Sequence, residues 1–292
     1  MQARVWGARG SLAAPGPETV RYGGNTSCVE VRLEDGTLLV LDAGTGMRPL
    51  GVLLGDEPIE ELHILLSHLH LDHLQGLGFF RPLFRSGIDV HVWGPASPVQ
   101  SLADRIAIYL SPPLFPVRLA DIPANLTFHD APEEGVTIGG ATVRAGKVAH
   151  QGPTVGYRIE ENGRSLAYLP DHEPSLGGVR IDAQPADWVS GYDVARGVDV
   201  LFHDAQYGDD EYPRHVGWGH SCIEDVIAFS RKAGVGNLVL FHHDPYHTDE
   251  QLEALLEHAK ARCAGGRERV CLAQEGMTIT LDTTNGPHVL FA

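Results

Sequence analysis

Seven consecutive residues, 67–73 (SHLHLDH), restrict the fold and the chemistry of this chain more than any other stretch. They follow the apolar run LHILL, which has the length and composition of a buried strand. Side chains alternate along an extended segment, so His68 and His70 point to the same side. Asp72 and His73 lie where the backbone turns, and they can face a second point close to the first. The stretch therefore predicts a site for two metal ions.

Two other interpretations of these residues are a surface run of histidines and a loop that binds metal adventitiously. A single histidine on an apolar strand is usually a satisfied core residue. Four polar side chains at the carboxyl end of one buried strand are different, because leaving them there without partners would cost free energy. We therefore interpret residues 67–73 as a metal site.

The spacing HxHxDH at residues 68–73 resembles the signature of the metallo-β-lactamase superfamily. This resemblance implies an α/β fold, a four-layer αββα sandwich, with a dinuclear metal site at the edge of its two sheets. The motif is specific for the fold and says little about the substrate, because the fold hosts many hydrolases. The sequence has no recognisable linker and no repeat of fixed period, so we expect one such domain over residues 1–292.

The resemblance also implies the remaining metal ligands. In the superfamily the third histidine of the first ion follows a later strand, and His150 matches it. A carboxylate that bridges both ions follows another strand, and Asp171 matches it; a carboxylate can bind one ion through each oxygen. Asp42 matches a residue that supports the ligands, although it can also be read as a turn residue at a helix N-terminus. The implied ligand sets are His68, His70 and His150 for one ion and Asp72, His73 and His242 for the other, with Asp171 shared.

Two segments of the second half resemble the ribonuclease Z branch of the superfamily. The sequence FHDAQ at 202–206 has Asp204 in the acidic position of a similar segment there. The sequence GHS at 219–221 is similar to a Gly-His-Ser-Thr motif, with Cys222 in place of the threonine. The branch cleaves phosphodiesters, which implies that His220, oriented by Asp204, binds phosphate or protonates the leaving alkoxide. The alternative role for His220 is structural, at the start of a helix.

A third segment, LFHHDP at 240–245, resembles the strand-terminal histidine segment of the same branch and implies His242 rather than His243 as the ligand. The combined set of imidazoles and carboxylates, without cysteine, suits two Zn²⁺ ions, with Mn²⁺ or Fe as alternatives. Such ions would activate a bridging hydroxide. Asp72 is expected both as a ligand and as one of the catalytic residues, with His220 and Asp204.

Composition restricts the expected partners. The net charge is −16 with histidine neutral, and such a field repels polyanions, so long nucleic acid is an unfavourable partner. No apolar run approaches the length of a membrane span, and the first residues do not resemble a signal peptide. The four cysteines form no CxxC pair, which favours reduced thiols in a soluble, cytoplasmic protein.

The sequence thus predicts a dinuclear-metal hydrolase that cleaves a small phosphodiester, such as a cyclic nucleotide or a sugar cyclic phosphate. Processing of tRNA 3′ ends is disfavoured, because ribonuclease Z carries a protruding basic arm and this sequence has no such insertion. Relatives are often dimers, which makes a homodimer one expected assembly.

Two rival functions stay open. A lactonase or another ester hydrolase of the same fold would not need His220 or Asp204 for turnover. A metal-binding or signal-sensing module without catalysis would have an impaired ligand set, whereas this sequence fills all seven ligand positions.

Two capping boxes predict where helices begin: SCIE at 221–224 and TDEQ at 248–251. The first would put His220 at a helix N-terminus, where free N–H groups favour phosphate. Two irregular stretches, the proline-rich residues 111–116 and the Gly/Asp-rich residues 173–199, are either lids over the site or packed loops.

Overall fold

The computed structural model describes residues 1–176, 180–263, 269–282 and 288–292. The strands of these ranges are β1 (Gln2–Gly7), β2 (Cys28–Arg32), β3 (Leu38–Leu41), β4 (Glu61–Leu65), β5 (Asp89–Gly94), β6 (Asn125–Asp130), β7 (Val136–Ile138), β8 (Ala141–Lys147), β9 (Val155–Glu161), β10 (Arg164–Leu169), β11 (Val200–Asp204), β12 (Asn237–Phe241), β13 (Arg269–Leu272), β14 (Thr278–Asp282) and β15 (His288–Phe291). The α-helices are α1 (Met47–Leu53), α2 (Leu102–Tyr109), α3 (Tyr192–Ala195), α4 (Ile223–Ala233) and α5 (Asp249–Cys263).

The strands form two mixed sheets. The first has the order β15-β14-β1-β2-β3-β4-β5-β6, and the second has the order β13-β12-β11-β10-β9-β8-β7. Pairing is parallel from β3 to β6 and from β10 to β13. The hairpins β2–β3 and β9–β10 are antiparallel. Parallel neighbours need crossover connections, which bring helices onto the outer faces of both sheets.

Three apolar cores separate four layers. The core between the sheets contains Val31, Leu39, Tyr157 and Phe202. The first sheet packs its other face against α1 and α2, and the second packs its other face against α3, α4 and α5. The expected αββα sandwich is therefore confirmed. None of the helices in the described ranges is long and apolar enough to cross a membrane.

The parallel strands of both sheets end at the same edge of the sandwich. Asp42 follows β3, Asp171 follows β10 by two positions, and Asp204 is the last residue of β11. His242 directly follows β12, and residues 67–73 follow β4. Because the carboxyl ends of parallel strands meet at one edge, residues far apart in the sequence are brought together there.

The two predicted capping boxes have different outcomes. At 248–251 the box is confirmed, since Thr248 N donates to Gln251 Oε1 at 2.9 Å and Gln251 N donates to Thr248 Oγ1 at 3.3 Å. The box at 221–224 was wrong. The Ser221 hydroxyl donates to the His172 carbonyl at 2.6 Å, and α4 begins two residues later, at Ile223.

The two irregular stretches contribute side chains to the apolar cores. Phe115, from the proline-rich stretch 111–116, is buried and contacts Phe79 and Tyr109 edge-on or tilted. In the stretch 173–199 the residues that pack beneath the second sheet are Ile181, Val189, Val194, Ala195 and Val198. These contacts fit packed loops, and residues 177–179 of the second stretch lie outside the described ranges.

A buried arginine ties the loop after β1 to the segment after β12. Arg9 is fully buried, and its Nε donates to the Gly23 carbonyl at 2.9 Å. Its Nη1 donates to the carbonyls of Asp244, at 3.1 Å, and His247, at 2.7 Å. The backbone that follows, at Gly10, lies against one of the candidate metal ligands, so this arginine also fixes one wall of the site.

We expect Arg9→Lys to lower the free energy of unfolding by about 2–4 kcal/mol, because one ammonium group cannot replace a planar fork that donates to three carbonyls. Urea denaturation measures this difference. The matched control is Arg118→Lys at an exposed position, for which we expect a change within about 0.5 kcal/mol. Equal stability of the two variants would contradict the role of Arg9.

Candidate metal centre

The residues predicted to bind metal lie together in the structure. Ligand atoms of His68, His70, His150 and Asp171 lie within 4.8 Å of one another, and so do those of Asp72, His73 and His242. These are the two sets that the resemblance implied. A third group with the same spread contains Asp171, His220 and His242, so His220 also borders the centre.

The heptapeptide 67–73 folds as its spacing predicts. The ring centroids of His68 and His70 lie 4.4 Å apart, on one side of the segment. A short 3-10 helix over Leu71–His73 then turns the backbone. This turn brings Asp72 and His73 to face a neighbouring point, and His73 Nε2 lies 3.1 Å from Asp72 Oδ2.

Asp171 divides its two oxygens between the two groups. Its Oδ1 lies 3.0 Å from His73 Nε2 and 3.2 Å from His242 Nε2. Its Oδ2 lies 3.6 Å from His68 Nε2 and 3.5 Å from His150 Nε2. A carboxylate in this position can hold one ion through each oxygen, as expected for a bridging ligand.

His242 faces the centre, and its neighbour does not. His242 has a left-handed backbone (φ 59°), and its Nδ1 lies 3.0 Å from Gln206 Oε1, which leaves Nε2 for the centre. A Cβ on Gly10 would lie 2.3 Å from the same Nδ1, so a glycine is needed beside this ring. His243 Nε2 lies 2.9 Å from the Ala273 carbonyl instead, and burial lowers the pKa of His243 to about 3.

His220 and Asp204 form a buried pair beside the centre. His220 Nδ1 lies 2.6 Å from Asp204 Oδ2. Burial lowers the pKa of His220, but Asp204 outweighs this effect and raises it to about 9. The ring of His220 stacks on that of His242, with 5.0 Å between centroids. The expected helix N-terminus at His220 was wrong, because Ser221 N donates to Asp204 Oδ1 and is not free for an anion.

Several buried atoms of the centre lack a hydrogen bond. Within the described part of the chain, no hydrogen-bond partner is found for His68 Nε2, His73 Nε2 or Asp171 Oδ1. These atoms lie close to one another, but the contacts between them do not have the geometry of hydrogen bonds. Buried polar atoms are rarely left without partners, because this costs free energy. These atoms are the ones that two cations would bind, so the donor set fits a pair of divalent metal ions.

The charges around the two groups also fit cations. Burial lowers the pKa of His68 well below its usual value, which favours the neutral imidazole that binds metal. Burial lowers the pKa of His73 as well, but nearby carboxylates, those of Asp72, Asp171 and Asp42, outweigh this effect and raise it well above its usual value. Several carboxylates close to one imidazole leave a local excess of negative charge, which divalent ions would neutralise.

Residues 37–243 of the chain match the family described as the β-lactamase superfamily domain. The chain belongs to this superfamily. Its sheets and helices have the metallo-β-lactamase fold, and membership of the superfamily supports the expected metal-dependent hydrolase.

Individual relatives agree with this assignment. Ribonuclease Z of Myxococcus xanthus is 25% identical over 284 residues, which cover 84% of this chain and 88% of the relative. A solved diphosphatase from the PhnP family superposes with a TM-score of 0.67 at 20% identity, covering 96% of this chain and 98% of that one. Zn²⁺-bound PqqB from Methylobacterium extorquens has the same TM-score at 19% identity, covering 96% and 100%. At these identities the two structures show the fold alone.

Asp42 supports the candidate metal centre through hydrogen bonds to residues around it. Its Oδ2 lies 2.8 Å from His73 Nδ1 and accepts a hydrogen bond from the Tyr168 hydroxyl at 2.9 Å. Its Oδ1 accepts from Ser67 N at 2.7 Å. These contacts orient His73 with Nε2 towards the centre, as outer partners of metal-binding histidines usually do. Tyr168 and Ser67 were not predicted for this role; a buried tyrosine in an apolar strand was the available signal.

Glu173 is a further residue that sequence reasoning missed. Its carboxylate accepts hydrogen bonds from Gly217 N at 2.8 Å, Gly219 N at 2.7 Å and the Tyr212 hydroxyl at 2.8 Å. The Gly219 carbonyl in turn lies 2.8 Å from His150 Nδ1 and sets the direction of that ring. Glu173 lies in an irregular segment, so no periodicity marks it in the sequence.

We expect Gly219→Ala to displace His150, because a Cβ there would lie 2.3 Å from His150 Nδ1. The purified variant should lose one of two bound ions, as measured by elemental analysis. Gly217→Ala is the matched control: its φ is +82°, against +90° at Gly219, but its Cβ would meet no atom within 4 Å. Gly217→Ala introduces a similar backbone strain and should keep both ions. Full metal content in Gly219→Ala would contradict the assignment of His150.

The neighbouring histidines after β12 give a second matched pair. We expect His242→Gln to lose an ion, because its Nε2 faces Asp72 and Asp171. His243→Gln should keep both ions, although it gives up the contact with the Ala273 carbonyl and some stability. Elemental analysis of the folded fraction distinguishes the two, and the reverse pattern would assign the ligand to His243.

Proposed function

We propose that this enzyme hydrolyses a small phosphodiester, such as a cyclic nucleotide or a sugar cyclic phosphate, with two Zn²⁺ ions. The observation that carries the proposal is the buried His220–Asp204 pair, which lies beside the candidate ligands for two ions. A pair of this kind gives an imidazole a fixed orientation next to the reacting group, which hydrolysis of a phosphodiester can use.

The candidate ligand residues would hold two ions. His68, His70 and His150 would bind one ion, Asp72, His73 and His242 the other, and Asp171 both. Bound divalent ions supply Lewis-acid chemistry, activating water at neutral pH and neutralising charge on phosphoryl oxygens. His70 is exposed, whereas His68, Asp72 and His73 are buried, so solvent and substrate reach the centre from the side of His70.

His220 would act on the substrate through Nε2. Its Nδ1 is committed to Asp204, whose Oδ1 also accepts from Gln206 N at 3.0 Å. The carboxylate is therefore fixed by the backbone and fixes the ring in turn. Held in this way, Nε2 can donate to a phosphoryl oxygen or to the leaving alkoxide.

The substrate class follows from charge and from the relatives. By their names, ribonuclease Z and the diphosphatase act on phosphorus–oxygen bonds. The net charge of −16 disfavours long RNA and leaves a small phosphodiester as the better candidate. Imidazole and carboxylate ligands favour Zn²⁺, in agreement with the Zn²⁺ of the PqqB neighbour; Mn²⁺ and Fe are the alternatives.

The test is turnover by purified protein of known metal content. The substrates are bis-p-nitrophenyl phosphate and a panel of cyclic nucleotides, with nitrocefin and a lactone as rivals. We expect metal-dependent cleavage of the phosphodiesters. Turnover of the lactone alone would assign the rival ester hydrolase, and inactivity on the phosphodiesters with both ions bound would contradict the proposal.

We expect His220→Ala to lower the turnover of bis-p-nitrophenyl phosphate about 10²- to 10⁴-fold, the usual contribution of a positioned acid or base. Its metal content should stay that of the wild type. His215→Gln is the control, because His215 stacks on Tyr207 at 4.2 Å and not on a candidate ligand. Loss of metal in His220→Ala would instead identify His220 as a ligand or a structural residue.

A further inference from the structure

A cavity of about 270 Å³ opens beside the metal centre. His68 and His70 form part of its wall. Leu69, between these two histidines, also lines it. The remaining lining residues come from the segment before α2, from α2 itself and from the loop after His150: Ser97, Arg105, Gln151, Gly152 and Pro153. The cavity is therefore continuous with the ligands that would hold the first ion.

Arg105 has the one formally charged side chain among the described residues that line this cavity. Its Nη2 donates to the Pro95 carbonyl at 2.6 Å. Its Nε is buried and has no hydrogen-bond partner within the described part of the chain. A buried donor on a cation is costly to leave without an acceptor. One bond to a carbonyl therefore leaves much of the guanidinium fork unused.

The surroundings do not neutralise this charge. Asp130 attracts the Arg105 guanidinium electrostatically, but among the described residues no carboxylate forms an ion pair with it. Burial lowers the pKa of Arg105, yet a guanidinium stays protonated at neutral pH. A cation without an ion-pair partner thus faces a cavity next to the metal centre of a strongly acidic chain.

The other walls offer neutral polar groups. Ser97 Oγ accepts from Val99 N at 3.3 Å, so its hydroxyl proton remains available as a donor. Gln151 Nε2 donates to the Gly217 carbonyl at 2.7 Å, which anchors this wall to the loop that precedes His220. A planar guanidinium with a hydroxyl nearby matches phosphate or carboxylate, which it binds through short, charge-assisted hydrogen bonds.

We propose that this cavity binds a second anionic group of the substrate, a phosphate or a carboxylate, carried on the arm that remains when the leaving group departs. The inference rests on the proposed phosphodiesterase function and narrows its substrate class. Among small phosphodiesters it favours those with an additional anion over simple cyclic nucleotides. Arg105 is then a specificity residue, and it takes no part in bond cleavage.

The test uses p-nitrophenyl alkyl phosphates whose alkyl arm ends in a methyl group, a carboxylate or a phosphonate, with arm length varied one carbon at a time. We expect the metal-loaded enzyme to show kcat/KM values about 10- to 100-fold higher for an anionic end than for the methyl end at the best length. The difference should lie mainly in KM. The phosphonate and carboxylate arms tell which anion is preferred.

Arg105→Met should abolish the preference for an anionic end and leave kcat/KM for methyl-ended arms unchanged. Arg105→Lys should retain part of the preference for an anionic end. The matched control is Arg118→Met, which removes the same charge from an exposed position and should keep the full preference. A preference that survives Arg105→Met, or no preference at any arm length, would overturn the inference. Equal loss on methyl-ended arms would mean that Arg105 acts structurally, through the Pro95 carbonyl.

Binding separates this inference from the proposed function. Calorimetric titration of the metal-loaded protein compares alkane bisphosphonates with alkyl monophosphonates and needs no turnover. Tighter binding of a bisphosphonate that Arg105→Met removes would support the cavity even if no phosphodiester were cleaved, in which case the proposed function alone fails. Cleavage of methyl-ended arms without any tighter binding of a bisphosphonate would leave the function in place and refute the inference.

Discussion

The arrangement of side chains in the candidate metal centre depends on a single buried carboxylate, that of Asp171. Its two oxygens face two different groups of imidazoles at 3.0–3.6 Å, and its side chain is buried. A buried carboxylate surrounded in this way is stable only with cations or protons close to it. The edge where the parallel strands of both sheets end is the place where the fold can gather enough donors around one point. The sandwich and the cluster of metal-binding side chain types at its edge are therefore parts of one arrangement.

Holding the ligands in place requires unusual backbone. Asp42 and His242 both have left-handed backbone, with φ of 58° and 59°, directly after β3 and β12. Each such residue costs roughly 1–3 kcal/mol and persists where its surroundings over-determine it. Here Ser67 and Tyr168 fix Asp42, and the backbone at Gly10 fixes the ring of His242. These two strained positions are a candidate ligand and its supporting residue, and the packed sheets stabilise them in this strained conformation.

Short-range sequence patterns predicted the local features of the fold and of the site. Resemblance to the family supplied some of the ligands that lie far apart in the sequence. Residues 67–73 predicted a metal site because four potential ligands, three histidines and one aspartate, fall within six positions. The hairpins and the helix start at 248–251 follow from short-range patterns. His150 came from family likeness, since nothing beside it marks a ligand. The helix start at Ser221 failed because a distant carbonyl takes its hydroxyl. Arg105 and Glu173 escaped notice because packing alone, over long sequence separations, brings them to the site.

The anchoring of residues 212–219 by Glu173 has a consequence for how such an enzyme can diversify. Two of the three donors to this carboxylate are backbone N–H groups, of Gly217 and Gly219, so the path of the loop depends little on the side chains between them. Val216 and Trp218 are exposed there, 45% and 57% respectively, within a few residues of His220. Substitutions at these positions can remodel the rim that a substrate meets while the ion-binding geometry below stays the same. Selectivity and chemistry are thereby separable, and one can change in descendants without loss of the other.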